Sequence, residues 1–530
     1  MRARLFSLDG PGLFLAIALV GAAFTPSLTA EADWATHRDR TSLALPVASS
    51  PDLQLPHPVL TANTRAEPGS GDRTPTTRSP LADTKETTAL ALGATSLSLH
   101  LIVVVLLSTL IRRWGTGGAA GLMGLLFFGL HPVTAEAVLS SASMNQLIQA
   151  LGVLGFLVCC TGKESEGLAW TQSAAAAGFV GIGAFCEPST LWLFPALVFL
   201  VRSLRPLPWS RLAPSGVGLV FGLGLRGHWA PQTSDPFGFL TEPSNLPLFL
   251  LDGLRGLVTF QPLGLRYLYW DYLHLSGLLS LFSVLLLSLL GVVAYRLRWW
   301  APLLPWSVVL YLLSAAPDVT VSSLPDSPGF GSFLYLPLTF LVLGLVQLYS
   351  SAGGSARWRG GSPTRVAAAV VIGLQMLLLQ QTQHDWKSNL DLGKSAIRIQ
   401  PNQGAGYVWV GDALLLTHDC SPSLPWYRRS VEVDPSYGPG YLKFISCLAQ
   451  LGQNNEALNA LIALEIRQSP SSTLSLAKAR LMIRLGRSKE ALDVVDHELR
   501  ERPGHEQLLN LKKALVRGLP QPTEATQPAP

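Results

Sequence analysis

Apolar and polar stretches alternate along most of the chain at a spacing set by a lipid bilayer. A helix needs about 20 apolar residues to cross. Runs of that order fall at 89–111, 117–131, 144–161, 171–186, 188–201 and 213–227, and again near 275–295, 301–316, 331–350 and 365–382. An earlier run, Gly12 to Phe24, follows a basic MRAR start. The Ser-Leu-Thr-Ala that closes this segment is a poor cleavage site, so an uncleaved first helix with a cytoplasmic N-terminus is expected. Together these runs predict about eleven spans.

The segment from 244 to 264 breaks the pattern. It carries Asp252, Arg255, Gln261 and Pro262, and the aromatic string RYLYWDY (Arg266 to Tyr272) follows it. It reads as a helix lying on, or re-entering, the membrane interface. With that segment uncrossed, the basic loops Arg112-Arg113, Arg202 to Arg211, Arg296 to Arg298 and Arg357 to Arg365 all fall on the cytoplasmic side. The C-terminal region then shares the outer side with the loop at 31–88. That loop is rich in Pro, Ser, Thr and Asp, and its part from Arg65 to Pro80 has the composition of a disordered segment.

From Trp386 the pattern becomes amphipathic. Pro401, Pro435, Pro470 and Pro503 recur at a period near 34, and Gly452 and Gly486 open the similar strings GQNNEAL and GRSKEAL. This spacing is the tetratricopeptide signature: helical hairpins stacked into a solenoid with a concave face for a protein or peptide. About three repeats and a capping helix, His505 to Arg517, are predicted, with a Pro/Thr-rich, disordered tail from Leu519. The predicted fold is therefore all-α. It has a first helix in 1–30, an outer loop at 31–88, a membrane bundle at 89–383, repeats at 384–518 and a tail at 519–530.

Composition agrees. Of 530 residues, 48% are hydrophobic and only 14% charged, against about 25% charged in soluble domains. The net charge of +5 is spread over short loops, with no basic stripe or tail for nucleic acid. Five cysteines show no metal-type spacing; Cys159 and Cys160 lie in an apolar run, while Cys420 and Cys447 could pair in an oxidising compartment. No His, Asp and Glu cluster has ligand spacing, so neither metal nor cofactor is predicted.

Between two apolar runs lies HPVTAEAVLSSASMNQ (His131 to Gln146). Polar groups held at a membrane face are costly and point to function, although a Pro-initiated interhelix loop would look the same. HPVTAEAV resembles a segment of the transmembrane and tetratricopeptide-repeat O-mannosyltransferases, multispanning glycosyltransferases of the GT-C type. CEPSTLWLFP (Cys186 to Pro195) and FGSFLYLP (Phe330 to Pro337) resemble two further segments of that family. The order of first helix, outer loop, membrane domain and outer repeats is similar over most of the chain.

The resemblance implies transfer of a sugar from a polyprenyl- or dolichyl-phosphate donor to protein hydroxyls. The setting would be the periplasmic or lumenal face of a bacterial inner membrane or the endoplasmic reticulum. A carboxylate of the first outer loop would take the hydroxyl proton, and cations would hold the phosphate. Asp39 is the first candidate base and Asp33 the second; each could equally be a solvated loop carboxylate. His131, Glu136 and Glu187 would line the pocket, or else cap helix ends and satisfy local backbone groups. Arg255 and Arg266 are candidate phosphate cations, with Arg226 and His228 on the same predicted side; Arg266 could instead anchor the interface. The chain departs from the family at charged positions. The acidic pair of the first loop is reduced to Asp39-Arg40, a lysine is replaced by Cys186, and a Glu-Arg pair by Gly331-Ser332. A second reading follows: a non-catalytic membrane scaffold that binds protein partners through its repeats.

Overall fold

The computed structural model describes residues 10–25, 80–114, 118–139, 143–162, 169–205, 207–229, 246–259, 277–315, 331–352, 362–417, 420–467 and 472–518. Among these there are 21 α-helices and two 3-10 turns, and no strand. The outer loop up to residue 79 and the tail from 519 lie outside the described residues, as do Asp33, Asp39 and Arg266. The chain divides into two compact units, one of Met1–His37 and Ser79–Asp391, the other of Arg38–Arg78 and Leu392–Pro530.

The first unit contains α1 (Gly10–Phe24), α2 (Pro80–Arg113), α3 (Ala119–Gly129), α4 (Pro132–Leu139), α5 (Met144–Thr161), α6 (Ala169–Cys186) and α7 (Thr190–Leu204). It continues with α8 (Trp209–Trp229), α9 (Leu246–Thr259), α10 (Gly277–Arg296), α11 (Leu303–Ala315), α12 (Tyr335–Ala352) and α13 (Ser362–Asp385). Among the described residues, four helices are long and apolar enough to cross a membrane: Ala91–Arg113 of α2, all of α5, Leu281–Trp299 and Val366–Asp385. The pair α3 and α4, bent by 49° at its break, makes a fifth if counted as one broken span. Several others, among them Thr190–Leu204 and Leu303–Ala315, are apolar but shorter.

Burial separates the two kinds of apolar face. Val103, Val104 and Leu107 of α2, Phe156 of α5, Leu193 and Leu197 of α7 and Phe340 of α12 form one core. By contrast, Leu281, Phe282, Leu285, Leu289 and Val292 on α10 stay exposed, as do Val366, Val370 and Leu377 on α13. Water would not tolerate patches of this extent on a monomer; lipid covers them without cost. Close backbone packing fastens α6 to α8, where a Cβ on Gly218 would collide with the Ala177 carbonyl.

The second unit continues from α14 (Asn389–Ile399), which straddles the division, through α15 (Gly404–Thr417), α16 (Cys420–Val433), α17 (Gly438–Gln450), α18 (Asn454–Arg467), α19 (Ser472–Arg484), α20 (Ser488–Glu501) and α21 (Glu506–Gly518). From α15 on, each helix packs on its neighbours in sequence. Gly452 and Gly486 sit in the turns after α17 and α19 with φ of 78° and 75°. Each closes the preceding helix in the same way: the Gln453 and Arg487 amides donate to the Leu448 and Met482 carbonyls at 2.9 Å. A left-handed residue is needed there, which glycine supplies without strain. Cys420 and Cys447 are both buried and form a disulfide joining α16 to α17, with Cα atoms 5.4 Å apart.

Two boundaries differ from the sequence reading. Helix α2 begins at Pro80, inside the stretch assigned to the outer loop, because proline suits the first helical turn. The HPVTAEAV segment is a buried helix rather than a loop, for reasons that belong to the site.

Candidate functional site

Helix α4 starts where proline fixes φ and leaves no amide to satisfy. His131 stands at its N-cap. The Val133 amide donates to His131 Nδ1 at 3.1 Å, so that nitrogen is the acceptor. Nε2 then carries the proton and donates to the Leu257 carbonyl at 3.0 Å. Thr134 donates its hydroxyl and its amide to the His131 carbonyl at 2.6 and 2.9 Å. All residues from Pro132 to Val138 are buried, and Glu136 has no exposed surface. A membrane-face loop was expected here, and the capping histidine explains why the segment coils and turns inward instead.

Leu257 belongs to α9, the segment expected at the interface. Its backbone is held at a second point, where the Tyr311 hydroxyl of α11 donates to the Leu250 carbonyl at 2.6 Å. Gly253, between these points, lies against Tyr311 and Leu334 so closely that a Cβ would come within 2.9 Å of the Tyr311 oxygen. Helix α9 has 14 residues and carries Asp252 and Arg255, and it falls outside both the long and the shorter apolar helices. Arg255 is exposed on it.

The FLYLP turn, Gly331–Leu334 leading into α12, packs on α4. Its Tyr335 hydroxyl meets His100 Nδ1 at 2.7 Å, while His100 Nε2 contacts the Gly129 carbonyl at 3.2 Å. The carbonyl can only accept, so Nε2 donates and the tyrosine hydroxyl donates to Nδ1. Phe24 and Phe128 close around the imidazole, with ring centres 5.3 and 5.8 Å away. Sequence reasoning passed over His100. A lone histidine inside the apolar run Leu97 to Leu107 was the available signal.

The third family-like segment lies at the junction of α6 and α7. The Glu187 carboxylate accepts the Ser189 amide at the start of α7 and lies in the field of Arg226. Arg226 donates to the Cys186 and Phe185 carbonyls at 2.6 and 3.1 Å, closing the end of α6. Gln149 of α5 donates to the Ser189 and Thr190 hydroxyls at 2.6 and 3.3 Å. Helix-end capping is thus the visible role of Glu187. Gln149 was not singled out from sequence.

The described residues therefore bring His131 together with α9, which carries Arg255, and Glu187 together with Arg226. The carboxylates there are Glu136, buried, and Glu187, half-buried; the cations are Arg226 and Arg255. Both nitrogens of His131 are committed to holding backbone, so it is a positioning group. Among the described residues, no three His, Cys, Asp or Glu side chains gather as a metal site would require. No protein-family model matches the chain, and no curated protein matches it.

Proposed function

We propose that the chain is a membrane-embedded, GT-C-like glycosyltransferase with eleven spans, tetratricopeptide repeats on the outer side, and a lipid-linked sugar donor. The observation that carries this reading is the joining of HPVTAEAV and FLYLP. Helix α4 is capped by His131, packs on the FLYLP turn, and pins α9 through the Leu257 carbonyl. Helix α9 is an interfacial element with a cation, Arg255, at the level where a lipid phosphate lies. Asp39 would take the proton from the acceptor hydroxyl, with Asp33 in reserve; Glu136, Glu187 and Arg226 would set the field around the sugar phosphate. The repeats would present the protein acceptor.

One observation favours a second reading, a scaffold without catalysis. Cys186, Gly331 and Ser332 are uncharged where the resembling family carries charge, which weakens phosphate holding. The test uses the full chain in membranes, a polyprenyl-phosphate mannose donor and a protein acceptor. Asp39→Asn keeps the shape and removes the base, so transfer should fall at least about a hundredfold, the low end of general-base catalysis. A wild-type chain without transfer, whose partner capture is lost when the repeat surface is altered, would establish the scaffold instead.

A further inference from the structure

We infer that Gln149 of α5 is a positioning residue for the Glu187 carboxylate at the α6–α7 turn. The inference rests on the proposed pocket and adds to it a group from outside the three family-like segments. Helices α5 and α6 meet backbone to backbone. A Cβ on Gly152 would come within 2.6 Å of the Phe179 carbonyl oxygen and 3.0 Å of the Gly183 amide nitrogen. Gln149 lies about one turn before Gly152, so this contact carries its side chain to the start of α7. There the Gln149 amide group donates to the Ser189 hydroxyl at 2.6 Å and to the Thr190 hydroxyl at 3.3 Å. All three residues are only 2% exposed.

Ser189 departs from the usual helix start. A serine at an N-cap ordinarily turns its oxygen onto an amide of the first turn. Ser189 is the N-cap of α7 and makes no such bond; its oxygen takes the Gln149 amide instead. Glu187 supplies the local acceptors. Its carbonyl accepts the Thr190 amide at 3.2 Å, and its carboxylate accepts the Ser189 amide. The direction of the carboxylate is thus set by the Ser189 backbone, and Ser189 is fixed from α5 by Gln149. Arg226 lies on the other side, in the field of the same carboxylate and bonded to the Cys186 carbonyl. Arg226 supplies charge; Gln149 supplies direction without charge. In a site with little water such a bond is strong, and its loss is costly.

The test is a double-mutant cycle on the purified full chain. Retention of polyprenyl-phosphate mannose over phosphatidylcholine is read by native mass spectrometry. Gln149→Met keeps the length of the side chain and removes its donors. It should lower retention about fivefold, the worth of one ordinary hydrogen bond, and should quicken hydrogen exchange over 187–192. In a Glu187→Gln background the same change should lower retention by less than about twofold, because a residue that acts through Glu187 then has no charge left to place. Ser189→Ala keeps the backbone amide and removes the acceptor of Gln149. It should match Gln149→Met, and it decides the question if that variant fails to fold. Equal losses in the two backgrounds would overturn the inference, since Gln149 would then act on the fold alone. Unchanged exchange at the turn would overturn it by itself. A wild type that retains the mannose lipid no better than phosphatidylcholine would sink the proposed function and this inference with it, so the two failures are told apart.

Discussion

His100 and Glu498 show how single polar side chains are held inside each unit. The pocket of Phe24 and Phe128 offers His100 no water, so its Nδ1 depends on the Tyr335 hydroxyl at 2.7 Å. Tyr335→Phe removes that donor and leaves a buried acceptor unmet, which costs about 1–3 kcal/mol. The thermal midpoint in detergent should drop by several degrees; an unchanged midpoint would mean that the imidazole turns to another donor. Glu498, on α20, is buried and accepts Ser472 at 2.7 Å, Ser475 at 3.0 Å and Arg502 at 3.1 Å. Burial pushes its carboxyl up, but the two serine hydrogen bonds and the Arg502 charge outweigh it and hold the group below its ordinary 4.5. The unfolded chain takes up that proton first as pH falls. Glu498 therefore stabilises the fold above about pH 4.5, and the contribution is lost as pH drops through the lower folded value. Thermal unfolding of the wild type should lose stability below pH 5 more steeply than that of Glu498→Gln.

At the scale of elements, α4 and α9 depend on one another through His131. His131→Ala removes the cap of α4, worth about 1 kcal/mol, and frees the Leu257 carbonyl of α9. Helix α9 keeps the Tyr311 bond to Leu250, so it should loosen at its C-terminal end rather than detach. Hydrogen exchange should quicken over 254–259 and over 132–136, while α5 and α12 keep their protection. Uniform exchange across the unit would refute the coupling. This pair also marks where sequence reading stopped. Apolar runs gave α5 its exact bounds, while α9 was set aside for its Asp252 and Arg255 and for the parity of the basic loops; it is not among the apolar helices. They did not reveal that HPVTAEAV is a buried helix. Its coiling depends on a ring nitrogen accepting an amide two residues on, and its burial on a carbonyl 126 residues away. His100 with Tyr335, 235 residues apart, was hidden for the same reason. The Gly452 and Gly486 turns were legible, since a left-handed helix end is a local demand that the chain answers locally with glycine.

For the whole molecule the decisive quantity is which side of the membrane each end occupies. Arg112-Arg113, Arg202 to Arg211 and Arg296 to Arg298 end or begin helices that meet lipid, and lysine and arginine bias such loops toward the cytoplasm. On the proposed reading helix α9, which carries Asp252 and Arg255 and is held by Tyr311 and His131, does not cross. The parity of the proposed eleven spans would put the loop before α13 in the cytoplasm and the chain after Asp385 outside. The disulfide between Cys420 and Cys447 bears on the same question, because such bonds persist in oxidising compartments and are removed by cytosolic reductants. We therefore predict that a reporter fused after Arg365 reads cytoplasm and one fused after Pro401 reads outside. In the same membranes, Cys420 and Cys447 should resist thiol alkylation until a reductant is added, while Cys159, free in α5, needs none. A cytoplasmic signal after Pro401 together with reduced Cys420 would mean that the segment at 244–264 crosses after all, or that the first helix is cleaved, and would overturn the proposed placement of the repeats on the outer side.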